Sequence, residues 1–264
     1  MLFDLKTLNI PYFGIGKSIA GRNLYIFKLG NGEKQIFLNG AHHGTEWLTA
    51  PVLMRFAFEL LEANRKRNRL AGFHVTELLN STTIHFLPMV NPDGIEIARL
   101  NPEKLWQSNA RGVDLNHNYN AGFETYKVLE KQHNITAGNT RYSGAYPESE
   151  PEVQAICKYV RANPMDLCVA LHSQGEVIYY EYEDLTPSCS KAICKELARV
   201  SSYLPDHTSG FASYGGFKDW FIKEFQKPAF TVEIGRGKNP LPGYQFESIY
   251  QKVLPLLLTA SFLG

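Results

Sequence analysis

Short apolar runs and longer helical periods alternate along this chain. Residues 24–29 (LYIFKL), 35–38 (QIFL), 83–87 (TIHFL), 167–171 (LCVAL) and 229–234 (AFTVEI) are brief apolar stretches, most of them bounded by Gly, Pro or Asn. That is the pattern of strands buried within a sheet. Between them Leu53, Phe56, Ala57, Leu60 and Leu61 recur at helical spacing. They predict a helix with one apolar face, Thr49 as its cap and Pro51 in its first turn. The run SEPE at 149–152 reads as a capping box before a helix with Val153, Ile156 and Val160 on one side. Further helices are expected at 190–202, around DWFI at 219–222, and at 244–263, where Pro255 predicts a kink. Strands interleaved with helices define the α/β class.

Two connections stand out. The link GNG at 30–32 predicts a β-hairpin between the first two strands. Residues 100–147 show little regular periodicity, and a stretch of that length inside a compact domain tends to carry function. His85 falls inside a strand pattern and reads as a core histidine.

Composition narrows the class of protein. A chain of 264 residues, 44% hydrophobic and 12% aromatic, can bury about 70–75% of its unfolded surface. No linker or repeat divides it, so residues 1–264 are expected to form one domain. A net charge of +1 offers no basic excess for nucleic acid or an anionic membrane. The opening MLFDLKTLNIPYFG carries Asp4 and no long apolar run, so it is not expected to be a signal peptide. Four cysteines without a Cys-x-x-Cys pair suit a reducing compartment, and a cytoplasmic protein is expected. The GIGKS at 14–18 lacks the first glycine of a phosphate loop, because Pro11 stands in its place.

Chemistry concentrates at strand ends. The strand 35–38 runs into NGAHHGTEW (39–47), where His43 and Glu46 leave one turn three positions apart. Imidazole and carboxylate are ligand types of a hydrolytic zinc site, which keeps one position open for water. His42 sits one step off that spacing. His172 closes the strand 167–171, and Glu233 is the one carboxylate in the strand 229–234. Burying such a charge without a partner is costly, and the carboxyl ends of strands in open α/β sheets are where ligands bind. Three of these four residues would complete a His2Glu site, and the fourth would serve as general base. The run NARGVDLNHN (109–118) adds a cation and amides suited to an oxyanion or a substrate carboxylate.

Taken in order, these residues resemble the zinc metallocarboxypeptidases, and among them the bacterial branch that cuts the γ-D-glutamyl–diaminopimelate bond of cell-wall peptides. The landmarks are His43, Glu46 and Trp47, then NPDG at 91–94, RGVDLN at 111–116 and LHSQGE at 171–176. GFKDW at 216–220, Glu233 and NPLP at 239–242 complete the series, so the resemblance spans roughly residues 15–258. It implies a single zinc peptidase domain with a mixed, mostly parallel twisted sheet flanked by helices, and one zinc ion as cofactor. It makes His43, Glu46 and His172 the metal ligands and Glu233 the base. Arg111 would polarise the scissile carbonyl, and Asn116 with His117 would face a substrate carboxylate. The implied partner is a small peptide, a muropeptide stem fragment.

Several positions depart from the digestive members of that family. His117 stands where they have an arginine, and imidazole cannot form a bidentate fork with a carboxylate. Thr45 is neutral where their motif is basic. Lys218 lies near the specificity-pocket position, where it would favour an acidic group unless it is simply solvated. Their mobile tyrosine aligns with Phe211, and Tyr214 three residues later could take its place. A general carboxypeptidase, an N-acyl amino acid deacylase and a non-catalytic peptide-binding module are the competing readings. Retention of Glu233 argues against the last.

Overall fold

The computed structural model describes residues 10–264; the N-terminal stretch read above as no signal peptide lies, through Asn9, outside them. Among the described residues there are ten strands: β1 Tyr12–Lys17, β2 Asn23–Leu29, β3 Lys34–Gly40, β4 Arg69–Leu70, β5 Phe73–His74, β6 Thr82–Leu87, β7 Leu167–His172, β8 Val177–Tyr179, β9 Leu204–Asp206 and β10 Ala229–Glu233. Eight of them form one sheet in the order β1-β2-β6-β3-β7-β10-β8-β9, while β4 and β5 pair separately. The centre, β6-β3-β7-β10, is parallel, and antiparallel pairs join β1, β2 and β8 to it. Eight α-helices of the described residues accompany the sheet: α1 Thr49–Lys66, α2 Val75–Ser81, α3 Pro92–Leu100, α4 Phe123–Gln132, α5 Pro151–Ala162, α6 Ser190–Ser201, α7 Phe217–Phe225 and α8 Phe246–Leu263. This is the mixed, mostly parallel α/β architecture expected from the sequence.

Alternation along the central strands divides the core into two faces. Leu167, Val169 and Leu171 of β7, with Phe230 and Val232 of β10, pack toward α1, α6 and α8. Cys168 and Ala170 of β7, with Ala229 of β10, pack toward α5 and α7. Both faces are covered, so these strands read as continuous apolar runs rather than alternating ones. The same alternation carries His172 and Glu233, the last residues of their strands, onto the α5/α7 side.

Three expectations are corrected. Strands β2 and β3 do not form a hairpin: β6 lies between them, antiparallel to β2 and parallel to β3. Gly30 and Gly32 serve a close backbone crossing instead; a Cβ on Gly32 would lie 1.8 Å from the carbonyl carbon of Ser81. The segment 100–147 contains α4, which buries Phe123, Tyr126 and Glu130. Neither proposed cap makes its side-chain bond, because both side chains are otherwise engaged. Thr49 Oγ1 donates to the Glu46 carbonyl and accepts from the Ala41 amide, and Ser149 Oγ donates to Glu150. Helix α8 runs on through Pro255. His85 is the core histidine expected: its ring bonds Tyr159 Oη and Gln35 Oε1, each at 2.7 Å, and burial lowers its pKa to about 4.

Candidate active site

The turn after β3 is built to present side chains. The chain leaves the sheet centre at Gly40, and Thr49 ties the start of α1 back to Ala41 and Glu46. Gly44 passes so close to α3 that a Cβ there would lie 2.3 Å from the Gly94 carbonyl oxygen. His43 and Glu46 flank a single 3-10 turn, Gly44–Glu46. His43 Nδ1 lies 2.9 Å from Glu46 Oε1, His172 Nδ1 3.0 Å from Glu46 Oε2, and the two Nδ1 atoms are 3.3 Å apart. Nitrogens bound tetrahedrally to zinc at 2.0–2.1 Å stand about 3.4 Å apart, so the imidazoles already hold the spacing of a shared ion. Among the described residues this is the one group of three such side chains that converges. The donor set, two imidazoles and a carboxylate, suits zinc with an open position.

Partners the sequence did not reveal hold the trio. Asp114 Oδ1 lies 3.1 Å from His43 Nε2, the acceptor a ligating imidazole needs on its far nitrogen. Asp114 in turn caps the turn Leu115–His117 and accepts from the Arg141 amide. Glu46 Oε2 accepts from the Ser173 amide at 3.2 Å, and Asn239 reaches Glu46 Oε1 at 3.4 Å while bonding Ser173. His42 points elsewhere: Nε2 meets Tyr119 Oη at 3.0 Å and its ring stacks on His172 at 5.2 Å. It braces a ligand and is no member of the trio.

The charges are strongly shifted. Burial raises the Glu46 carboxyl, but His43 and His172 outweigh it and bring the pKa down to about 2. Burial opposes the charge of His43, yet Glu46 and Asp114 raise its pKa well above 6.5. Asp114 is held below the ordinary carboxylate range, the His43 charge overcoming its burial. Glu233 goes the other way, raised well above its usual value by burial and then by the Glu46 charge. Its Cα pairs with that of His172 in the β7–β10 register, and adjacent strands lie about 4.8 Å apart. Glu233 is thus a carboxylate of raised proton affinity one strand from His172.

The remaining candidates are mostly engaged with protein partners. Asn116 Oδ1 accepts from the Phe217 amide at 3.0 Å, tying the 111–118 segment to the start of α7. His117 Nδ1 donates to the Tyr214 carbonyl at 2.9 Å, and its ring stacks 4.2 Å from that of Tyr126. Burial lowers its pKa, so it stands neutral. Lys218 is not a solvated lysine: it is 3% exposed, and its ammonium donates to Asp219 and to the Glu181 carbonyl. Arg111 is half-exposed and reaches Glu150 at 3.4 Å. Tyr214 packs over Gly122, whereas Phe211 packs on Tyr126 and His133.

A buried His2Glu cluster at the carboxyl ends of adjacent parallel strands, with a carboxylate beside it, defines a metallohydrolase. The sequence profile of the zinc carboxypeptidases matches residues 9–255, and the chain belongs to that family of zinc-dependent metallopeptidases. It is 34% identical to γ-D-glutamyl-L-diamino acid endopeptidase 1 of Lysinibacillus sphaericus, over 100% of this chain and 71% of that protein. To carboxypeptidase B of Rattus norvegicus it is 28% identical, over 88% of this chain and 58% of the relative. Among solved structures, bovine thrombin-activatable fibrinolysis inhibitor shares the fold with a TM-score of 0.81 at 20% identity, over 99% of this chain and 93% of that one. Murein-tripeptide amidase from Escherichia coli O157 gives 0.62 at 21% identity, over 95% and 93%. The family uses one zinc ion, and the His43–Glu46–His172 trio is the group that could hold it.

Proposed function

We propose that this protein hydrolyses the amide bond between a γ-D-glutamyl residue and a diamino acid, most simply meso-diaminopimelate, in small cell-wall peptides. The carrying observation is the converged trio with Glu233 in register beside His172. The 34% identity to an endopeptidase named for that bond supports the substrate class. His43, Glu46 and His172 would hold the zinc ion, which supplies Lewis-acid polarisation of water and carbonyl. Glu233 takes a proton from the attacking water and passes it to the leaving amine. Arg111, half-exposed, is assigned to the developing oxyanion, and Asn116 to a substrate carboxylate or amide. His117 and Lys218 fit an indirect contribution, since both are tied to protein partners. A neutral imidazole at 117 supports weak grip on a free C-terminus, so an ordinary carboxypeptidase is the poorer reading.

We further assign residues 1–264 to one zinc peptidase domain acting in the cytoplasm on recycled or precursor stem fragments. All four cysteines are unpaired, which suits a reducing compartment, and no helix of the described residues is long and apolar enough to cross a membrane.

Mass spectrometry of L-Ala-γ-D-Glu-meso-diaminopimelate incubated with zinc-loaded protein tests this directly. Free diaminopimelate should appear and be lost on chelation. If the tripeptide stays intact while ordinary C-terminal residues are trimmed, the substrate assignment is wrong. Glu233→Gln should lower kcat by about 10²–10⁴ with zinc retained; unchanged turnover would remove Glu233 from the mechanism.

A further inference from the structure

The two imidazoles of the trio are held by different means. His43 has a carboxylate, Asp114, 3.1 Å from the ring nitrogen that faces away from Glu46 and His172. His172 has no such partner: its Nε2 is buried without a hydrogen bond among the described residues. A ligating imidazole is ordinarily oriented by a bond at its far nitrogen. Here that bond is missing, yet His172 is only 2% exposed, so packing has to set the plane of the ring.

The ring packed on its face is His42. The two centroids lie 5.2 Å apart with 22° between the planes, an offset stack, whereas His43 meets His172 edge-on at 64°. His42 is fully buried and is pinned at both ends. Its carbonyl accepts at 2.9 Å from Nδ2 of Asn91, the residue that caps α3. Its Nε2 lies 3.0 Å from Tyr119 Oη. Tyr119 is fixed in turn: its ring packs edge-on against Phe217, 5.6 Å between centroids, and its amide donates to the Gly215 carbonyl at 3.1 Å. A chain of contacts therefore runs from the start of α7 through Tyr119 and His42 to the end of β7.

The choice of histidine at 42 carries a cost. Its Nδ1 has no hydrogen-bond partner among the described residues, so an apolar ring would be cheaper to bury there. What the imidazole adds over a phenyl ring is the bond to Tyr119, which fixes its rotation. We propose that His42 and Tyr119 are positioning residues for His172: the His42 ring sets the plane of the ligand by stacking, and the Tyr119 hydroxyl holds the His42 ring in place. The proposal rests on the trio as the zinc site and is independent of the substrate.

The test measures zinc affinity by chelator competition at one fixed pH. His42→Leu fills the space without a planar ring and should weaken zinc about 10- to 100-fold. His42→Phe keeps the stack and loses the bond to Tyr119, and should weaken zinc only about five-fold. Tyr119→Phe removes the same bond from the other side and should match it. The double variant His42→Phe/Tyr119→Phe should bind like His42→Phe alone, because the hydroxyl acts through the imidazole. With Co(II) in place of zinc, the visible absorption bands should change more in His42→Leu than in His42→Phe. Urea unfolding of the metal-free proteins separates positioning from core packing. Lowered metal-free stability with unchanged zinc affinity in His42→Leu would overturn the proposal, as would equal losses in His42→Leu and His42→Phe. Additive losses in the double variant would overturn the part assigned to Tyr119. An unaltered protein that takes up no zinc would remove the metal site itself. Zinc uptake with the expected pattern but no cleavage of the tripeptide would keep the positioning pair and remove the substrate assignment.

Discussion

His43 is the residue on which the centre's chemistry turns. One ring nitrogen faces Glu46 and His172, the other Asp114. In the metal-free protein Glu46 and Asp114 raise its pKa against the effect of burial, so zinc must displace a proton to bind. Linkage then has a definite sign. Above the raised pKa the imidazole is already neutral and zinc affinity is flat; below it, affinity falls as pH falls. Competition against a chelator from about pH 9 down to about pH 5.5 should show log affinity falling with a slope approaching one per pH unit, and a flat profile would contradict the shift. Asp114→Asn keeps an acceptor but removes the charge, and should weaken zinc about 10- to 100-fold in the same assay. The four residues His43, Glu46, His172 and Glu233 were legible in the sequence, because short spacing and strand ends advertise them; which three converge as a metal trio was implied only by the family resemblance. Asp114 and Asn239 were not: their contacts with His43 and Glu46 join residues 71 and 193 positions apart, and nothing local marks such a partner.

At the level of elements, the two-residue and four-residue periods gave strands and helices but not adjacency. Each central strand was visible as an apolar run because both faces of the sheet are covered. That β6 slides between β2 and β3 was invisible, since a glycine-rich link serves a hairpin and a close crossing equally well. Helix α4 escaped notice for another reason. Tyr126 Oη donates to the Arg141 carbonyl and Glu130 accepts from the Ser143 amide, so polar contacts hold it and Val128 faces solvent. Thr49, read as a cap, instead clamps the ligand turn onto α1. Thr49→Val preserves shape and removes both bonds, leaving the buried Ala41 amide and Glu46 carbonyl unpaired. It should cost about 1–3 kcal/mol in urea unfolding and weaken zinc binding as well. A loss of stability with unchanged zinc affinity would mean the turn keeps its shape without the clamp.

For the whole molecule, zinc binds the folded state and so contributes to its stability. At a free concentration about 1,000 times the dissociation constant the gain is about 4 kcal/mol. Chelation should therefore lower Tm, and the decrease should shrink in Asp114→Asn, where zinc is held less tightly. An identical Tm with and without metal would show that the trio binds zinc too weakly to couple to folding.

The order in which the centre is encoded has a consequence for biosynthesis. The trio that could hold the metal sits at 43, 46 and 172, the proposed base at 233, and Asn239, which steadies Glu46, later still. Strand β10, which carries Glu233 and flanks β7, is the last of the sheet to leave the ribosome. A fragment ending at residue 226 holds the whole trio, yet lacks the proposed base and the strand that pairs with β7 beside His172. Such a fragment should hold zinc less tightly than the full chain and release no product. The centre is thus complete only once β10 has been made, and a growing chain that still lacks it carries no premature hydrolytic activity.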